Sequence, residues 1–129
     1  MTQLLVPTVD PNTVVIKNTP ILIDDEPRFP WRGIMIDPAR HFLTKETIFR
    51  LIDSLEYAKL NVLHVHWLDA QSFPIVIQNY EKLHEKGAYC PSCIYTEKQL
   101  NEFVQYARLR GIRIVPEYDM PGHAYVNKC

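Results

Sequence analysis

Glycine is scarce in this chain, 4 residues in 129, as are cysteine and methionine with 3 each and tryptophan with 2. Three cysteines are too few for a disulfide-built scaffold. No apolar run approaches the ~18 residues that a membrane-crossing helix needs. Neither sign of charge is in excess. With 14 Lys+Arg against 15 Asp+Glu and a net charge of -1, nothing electrostatic favours nucleic acid or an anionic membrane surface. Basic residues are scattered, with no aromatic-basic interleaving of the nucleic-acid kind. The opening MTQLLVPTVDPN lacks a basic stretch followed by an apolar one, so no signal peptide is expected. No Asn-x-Ser/Thr acceptor occurs either. What is abundant is apolar residues, 47% of the chain against 22% charged, which supports one folded core of ordinary domain size.

Prolines 7, 11, 20, 27 and 30 crowd the start. Proline fixes its own φ and biases its predecessor toward extended backbone, so residues 1–30 read as an extended lead-in rather than a domain. Within it, 14–17 (VVIK) and 21–24 (ILID) are expected to pair as a short hairpin across Asn18-Thr19-Pro20. From Trp31 the pattern becomes regular. Gly33-Ile34-Met35-Ile36 reads as a buried strand ended by Asp37-Pro38. A helix is predicted from about Thr44 to Lys59, with Ile48, Leu51, Ile52, Leu55 and Ala58 as its apolar stripe, Thr44 as N-cap and Glu46 in the first turn. A second strand runs from Asn61 to Trp67, followed by an irregular stretch over 68–94. Thr96-x-x-Gln99 is a capping box that opens a second helix striped by Leu100, Phe103, Val104 and Ala107, with Gly111 as its C-terminal stop. A third strand, Ile112 to Val115, follows, and Pro116 is expected to end it.

Strands joined by amphipathic helices imply right-handed crossovers and a parallel sheet, in an α/β class. A doubly wound sheet and a (β/α) barrel both fit, but no glycine-rich turn follows the first strand, which weighs against a nucleotide-binding fold. Chemistry-capable residues gather at each strand's C-terminal end: Asp37, Arg40 and His41, then His64, His66 and Asp69, then Glu117, Asp119 and His123. A barrel enzyme places its site there. A whole barrel takes eight such units and ~250 residues. Two units and a third strand make a partial (β/α)8 TIM barrel.

Strand alternation puts Val62, His64 and His66 on one face and Leu63, Val65 and Trp67 on the other. The two histidines have two open readings. They are structural side chains bonded to neighbouring strands, or they converge on a metal with Asp69, Glu117 or His123 completing the shell. Cys90-Pro-Ser-Cys93 lies in a loop rather than at a helix start after a strand, so an incidental pair or a local loop disulfide is the better reading. Asp25-Glu26, followed by Pro27, reads as solvated loop.

Three strings add up to something more specific. PRFPWRGIMIDPARHF at 27–42, NVLHVHWLDAQSFPI at 61–75 and YARLRGIRIVPEYDMPGHA at 106–124 resemble the family 20 glycoside hydrolases, the β-N-acetylhexosaminidases. The likeness runs from about Thr19 to Ala124. It makes 31–129 the N-terminal portion of a catalytic barrel. It implies hydrolysis of terminal N-acetylglucosamine or N-acetylgalactosamine by a retaining mechanism in which the sugar's own 2-acetamido oxygen attacks the anomeric carbon. It further implies that Arg32 binds sugar hydroxyls, that Asp69 and His123 form a relay to a general-acid Glu, that His66 and Glu117 line the pocket, and that Asp37, Arg40 and His41 support it. No metal or other cofactor is implied, and the location is lysosomal or secreted.

Two departures stand out. The family's Asp-Asp is here Asp69-Ala70, and its catalytic Asp-Glu pair belongs to the end of a fourth strand, beyond the three read here. The chain by itself is therefore expected to be inactive and to self-associate through open sheet edges. Two alternatives remain at this stage: a metal-dependent barrel hydrolase using His64 and His66, or a non-catalytic chain that binds glycans or another subunit.

Overall fold

The computed structural model describes residues 4–124. The lead-in holds a two-stranded antiparallel ribbon, β1 (Val6–Pro7) with β2 (Val14–Val15), paired Val6 to Val15. This corrects the expected hairpin, because residues 14–15 pair backward to β1 and 21–24 form no strand. The physical reason lies in the turn at 8–13. Asp10 accepts from Asn12 N–H at 3.0 Å and from the Thr13 hydroxyl at 2.7 Å, and Thr8 N–H donates to the Thr13 carbonyl at 3.2 Å. The alternative turn places Asn18 at φ +61 and makes no such closure. Asp25 is exposed, as a solvated loop requires, and meets Lys59 Nζ at 2.8 Å.

The body is a parallel sheet in the order β3 (Gly33–Ile36), β4 (Val62–Leu68), β5 (Arg113–Tyr118). Helix α1 (Lys45–Tyr57) connects β3 to β4, and α2 (Lys82–Gly87) and α3 (Glu97–Arg108) lie between β4 and β5. Thr44 caps α1 by accepting from Thr47 N–H at 3.3 Å. Thr96 and Gln99 close the capping box on α3. Gly111, at φ +70, takes the left-handed position after α3, and Ile112 N–H returns to the Ala107 carbonyl at 2.9 Å. The stripe of α1 ends at Leu55, since Ala58 is already exposed. Helix α2 falls inside the stretch read as irregular, and six residues are too few for a periodic signal to show in sequence.

Both long helices pack on one face of the sheet. Ile48, Ile52 and Leu55 of α1 and Phe103 and Ala107 of α3 meet Leu63, Val65 and Trp67 of β4 in a single core cluster. Trp67, Tyr95 and Phe103 pack ring to ring there, with centroids 5.0, 6.0 and 6.2 Å apart. Burying each of these side chains stabilises by about 1.5–3 kcal/mol. Gly33 lets β3 approach β4, because a Cβ there would lie 2.8 Å from both Val62 Cβ and the Val62 carbonyl oxygen. Pro116 does not end β5, which continues to Tyr118. Among the described residues β5 pairs only with β4, so it is an edge strand, where a missing N–H is tolerated.

Candidate active site

Parallel register brings the three strand ends to one level. Ile36 pairs with Val65, and His66 pairs with Glu117. Just past β3, Asp37 forms a tight turn in which its carboxylate accepts from Arg40 N–H at 2.9 Å and its carbonyl from His41 N–H at 3.3 Å. Past β4, Asp69 and Ser72 exchange backbone hydrogen bonds at 3.1 and 3.2 Å. That two-residue reversal turns the Asp69 side chain back over the sheet.

Asp69 is the centre of the cluster, and its side chain is fully buried. Its Oδ2 accepts from Arg40 Nη2 at 2.6 Å and contacts His66 Nε2 at 2.9 Å. Its Oδ1 accepts from Ala70 N–H at 2.6 Å and contacts His123 Nδ1 at 3.1 Å. Burial alone pushes this carboxyl up, but bonds from His66, Ala70 N–H, His123 and Arg40 outweigh it and hold it far below the usual carboxylate range. His66 continues the network. Burial pulls its pKa down, yet the Asp69 and Glu117 carboxylates on its two nitrogens raise it above the ordinary imidazole value. The form that satisfies both partners is the imidazolium, with Nδ1–H toward Glu117 Oε1 at 2.9 Å. Glu117 is held below its ordinary value chiefly by the bond to His66, and its Oε2 also meets His64 Nε2 at 2.5 Å.

The site residues expected from sequence therefore separate into two groups. Asp37, Arg40, His66, Asp69, Glu117 and His123 are drawn together by these contacts. His41 is exposed beside them, and among the described residues no hydrogen bond joins its ring to the cluster. Arg32 lies apart. It precedes β3 at the opposite end of the sheet, where its Nε donates to the Lys59 carbonyl and its Nη1 to the Phe29 carbonyl, both at 2.8 Å. Its backbone N–H donates to Asn61 Oδ1 at 2.9 Å. This placement corrects the sugar-binding expectation for Arg32, whose guanidinium instead fastens the lead-in to the α1–β4 turn. Two residues of the cluster lay outside that expectation. His64 touches Glu117, and Asp119 comes with His66 and Glu117, and with Asp69 and His123, within 4.8 Å ligand to ligand. Both belong to the strand-end clustering visible in sequence.

The arrangement can fix an imidazole tautomer and present a guanidinium. Asp69 holds His123 by Nδ1, which leaves Nε2 as that ring's second polar atom. Arg40, with a half-exposed side chain, has donors left over for a ligand's hydroxyls. Near the cluster, Tyr89 donates its hydroxyl to the Arg40 carbonyl at 3.1 Å. The adjacent Cys90 and Cys93 form a disulfide, as one of the two sequence readings held. No helix of the described residues is long and apolar enough to cross a membrane.

Known proteins place this geometry. The family model "Glycosyl hydrolase family 20, catalytic domain" matches residues 29–128. The chain is 50% identical to beta-hexosaminidase A of Caenorhabditis briggsae over 101 residues, 78% of this chain and 18% of that protein. It is also 50% identical to the beta-hexosaminidase subunit beta of Rattus norvegicus over 101 residues, 78% of this chain and 19% of that one. Among solved structures, the chitobiase of Flavobacterium johnsoniae superposes with a TM-score of 0.74 at 40% identity, covering 78% of this chain and 15% of the other. The Vibrio harveyi exo beta-N-acetylglucosaminidase, solved with N-acetylglucosamine, superposes with a TM-score of 0.78 at 31% identity, covering 98% of this chain and 22% of the other. The chain thus spans about a fifth of the length of these relatives, and β3–α1–β4–α3–β5 is part of a (β/α)8 barrel. With its strand-end cluster of Arg40, Asp69, His66, Glu117 and His123, the chain belongs to glycosyl hydrolase family 20.

Proposed function

We propose that this chain supplies part of the sugar pocket of a β-N-acetylhexosaminidase acting on terminal N-acetylhexosamine residues by the retaining, substrate-assisted route. One observation carries the reading: the buried Asp69 holds a half-exposed arginine and two imidazoles at the strand ends. In this reading Arg40, rather than Arg32, grips the sugar hydroxyls. Asp69 fixes the His123 tautomer so that its Nε2 meets the general acid, and His66 and Glu117 line the floor. The acetamido oxygen is the nucleophile, so the protein needs an acid and an orienting carboxylate but no nucleophile of its own. In the family's order those two come from the end of the fourth strand. Family membership favours neither a metal-dependent hydrolase nor a non-catalytic chain. A lysosomal or secreted location accords with the Cys90–Cys93 disulfide, since disulfides persist in oxidising compartments.

The test exchanges residues 29–124 for the matching stretch of the rat subunit and measures hydrolysis of an aryl N-acetyl-β-glucosaminide. Activity is expected. Arg40→Ala removes charge-assisted hydrogen bonds worth about 2–4 kcal/mol, a fall in kcat/KM of roughly 30- to 900-fold. Arg32→Ala should lower stability and leave kcat/KM of the folded fraction nearly intact. A folded chimera in which Arg40→Ala stays within threefold of its parent would sink the reading.

A further inference from the structure

The disulfide between Cys90 and Cys93 takes no part in the cluster at the strand ends, and its surroundings are unlike those of a structural staple. It joins cysteines only three positions apart, and a ring this short constrains the unfolded chain least, so the bond contributes little to holding the fold. The turn does not depend on it either, because Cys93 N–H donates to the Cys90 carbonyl at 2.9 Å and keeps the two residues adjacent. Both cysteines are half-buried, and the Pro91-Ser92 tip between them is exposed. Beside the turn lies a cavity of about 370 Å³ lined by His84, Ala88, Tyr89, Cys90 and Ile94, within the size range of small-molecule sites. Two tyrosines bracket the turn and fasten it to the β3–α1 connection. Tyr95, 1% exposed, bonds both the carbonyl and the N–H of Leu43, the latter at 3.2 Å. Tyr89 is half exposed and is the weaker clamp, with one bond from its hydroxyl to the Arg40 carbonyl at 3.1 Å. Tyr89 adjoins Cys90 in the chain, and Arg40 is the residue whose guanidinium meets Asp69.

We propose that Cys90–Cys93 is a thiol–disulfide exchange site that takes a small thiol through the cavity at Cys90, and that Tyr89 is the positioning residue through which its redox state reaches Arg40. The thiolate of one small thiol attacks Sγ of Cys90, the Cys90–Cys93 bond breaks, and Cys93 leaves as a thiolate. A second small thiolate attacks the small-thiol sulfur of the mixed disulfide, and Cys90 leaves in turn. Each incoming thiol gives up the proton that one cysteine takes up, so two small thiols are oxidised to one disulfide and the pair is reduced to two thiols. Sulfurs no longer bonded need van der Waals separation, so the turn relaxes on reduction. The buried Tyr95 clamp resists, and the half-exposed Tyr89 next to Cys90 gives way. The Arg40 carbonyl then exchanges its phenol partner for water. The consequence for sugar binding rests on Arg40 gripping the sugar, as proposed above; the exchange chemistry and its reach to Arg40 do not.

The experiment uses the full chain carrying Cys129→Ser, so that one cysteine pair reports. Reduced glutathione is the probe, in native buffer without denaturant, and free thiols are trapped by alkylation and counted by mass. The pair should be reduced at millimolar glutathione, which structural disulfides withstand. With Cys93→Ser added, glutathione should be found bound to Cys90. Hydrogen exchange followed by mass spectrometry reads the coupling. Reduction should speed exchange over 38–43 about threefold or more, as loss of one hydrogen bond implies, and leave 62–68 unchanged. Tyr89→Phe should do the same without reduction and cancel reduction's further effect on 38–43. In the chimera, Tyr89→Phe should raise KM about threefold with kcat nearly unchanged, the mark of weakened sugar binding. The proposal is overturned by a pair that resists glutathione until the chain unfolds, by exchange over 38–43 that does not respond, or by exchange over 62–68 that rises with it. A parent-like KM in Tyr89→Phe beside a damaged Arg40→Ala overturns the step to the sugar and leaves the role of Arg40 standing; parent-like kinetics in both instead sinks the reading of Arg40.

Discussion

Replacing Asp69 by asparagine tests the electrostatic core of the site. Four donors converge on the two oxygens of Asp69: Arg40 and His66 on Oδ2, and Ala70 N–H and His123 on Oδ1. Asparagine keeps one acceptor oxygen and turns an NH2 toward the other pair. If the NH2 faces Oδ2's partners, Arg40 is half exposed and can turn to water, while His66, 8% exposed at its side chain, keeps a partner only by giving up its Nε2 proton and accepting from the NH2. If it faces Oδ1's partners, His123 can find water, but the part-buried Ala70 N–H is stranded. The first orientation therefore costs the His66 charge and its ionic bonds, and the second leaves the Ala70 donor without a partner, which costs about 1–3 kcal/mol. The surviving bonds also lose their ionic character, so the total should be about 2–4 kcal/mol, near the lower edge of what breaking a buried ion pair costs. Urea unfolding at pH 6 reads this directly. The pKa of His66, followed by NMR, should also fall, because burial then acts against only one carboxylate. A stability loss under about 1 kcal/mol together with an unmoved His66 would refute the account, since Asp69 would then not be the shared acceptor.

The same network sets a pH window. Asp69 and Glu117 lie below their ordinary values of 3.8 and 4.5, so their contribution is complete above those values and is lost as pH falls through the lowered ones. His66 lies above its ordinary 6.5, so its contribution is complete below 6.5 and is lost as pH rises through the raised value. The chain should therefore be most stabilised by this cluster between pH 4.5 and 6.5, with unfolding free energy declining toward pH 8. A rise over that interval would contradict the assignment. Gly33→Ala forces a methyl to within 2.8 Å of Val62 backbone and side chain. A cost of about 1–3 kcal/mol is expected, with faster amide exchange along β3; unchanged exchange there would mean that β3 accommodates the methyl. Thr96→Ala removes half of the capping box on α3 and should cost about 1 kcal/mol in urea unfolding. A cost below a few tenths would show that the helix start is held by packing instead.

What the sequence showed and what it hid divide along physical lines. The two long helices were legible because Ile48, Ile52 and Leu55, and Phe103 and Ala107, repeat at helical spacing and are bounded by Thr44 and Thr96, whose caps act locally. The parallel order followed from those helices, and the gathering of Asp37, His66 and Glu117 at one end followed from the order. Arg32 failed for a reason of the same kind. Its residue type and its place in a distinctive string suggested a ligand, but a residue that precedes a parallel strand belongs to the end of the sheet away from the site, and Arg40, eight residues on and past the strand, belongs to the near end. Position along the strand was in this case a better guide than the match of a string. The lead-in hairpin failed because short apolar runs on either side of a proline carry no register. Choosing β1 over 21–24 as the partner of β2 depended on side-chain closure by Asp10 and Thr13, which alternation does not reveal. The placement of His64 and Asp119 around Glu117 depends in turn on cross-strand register between β4 and β5, which becomes visible only once His66 is seen to pair with Glu117.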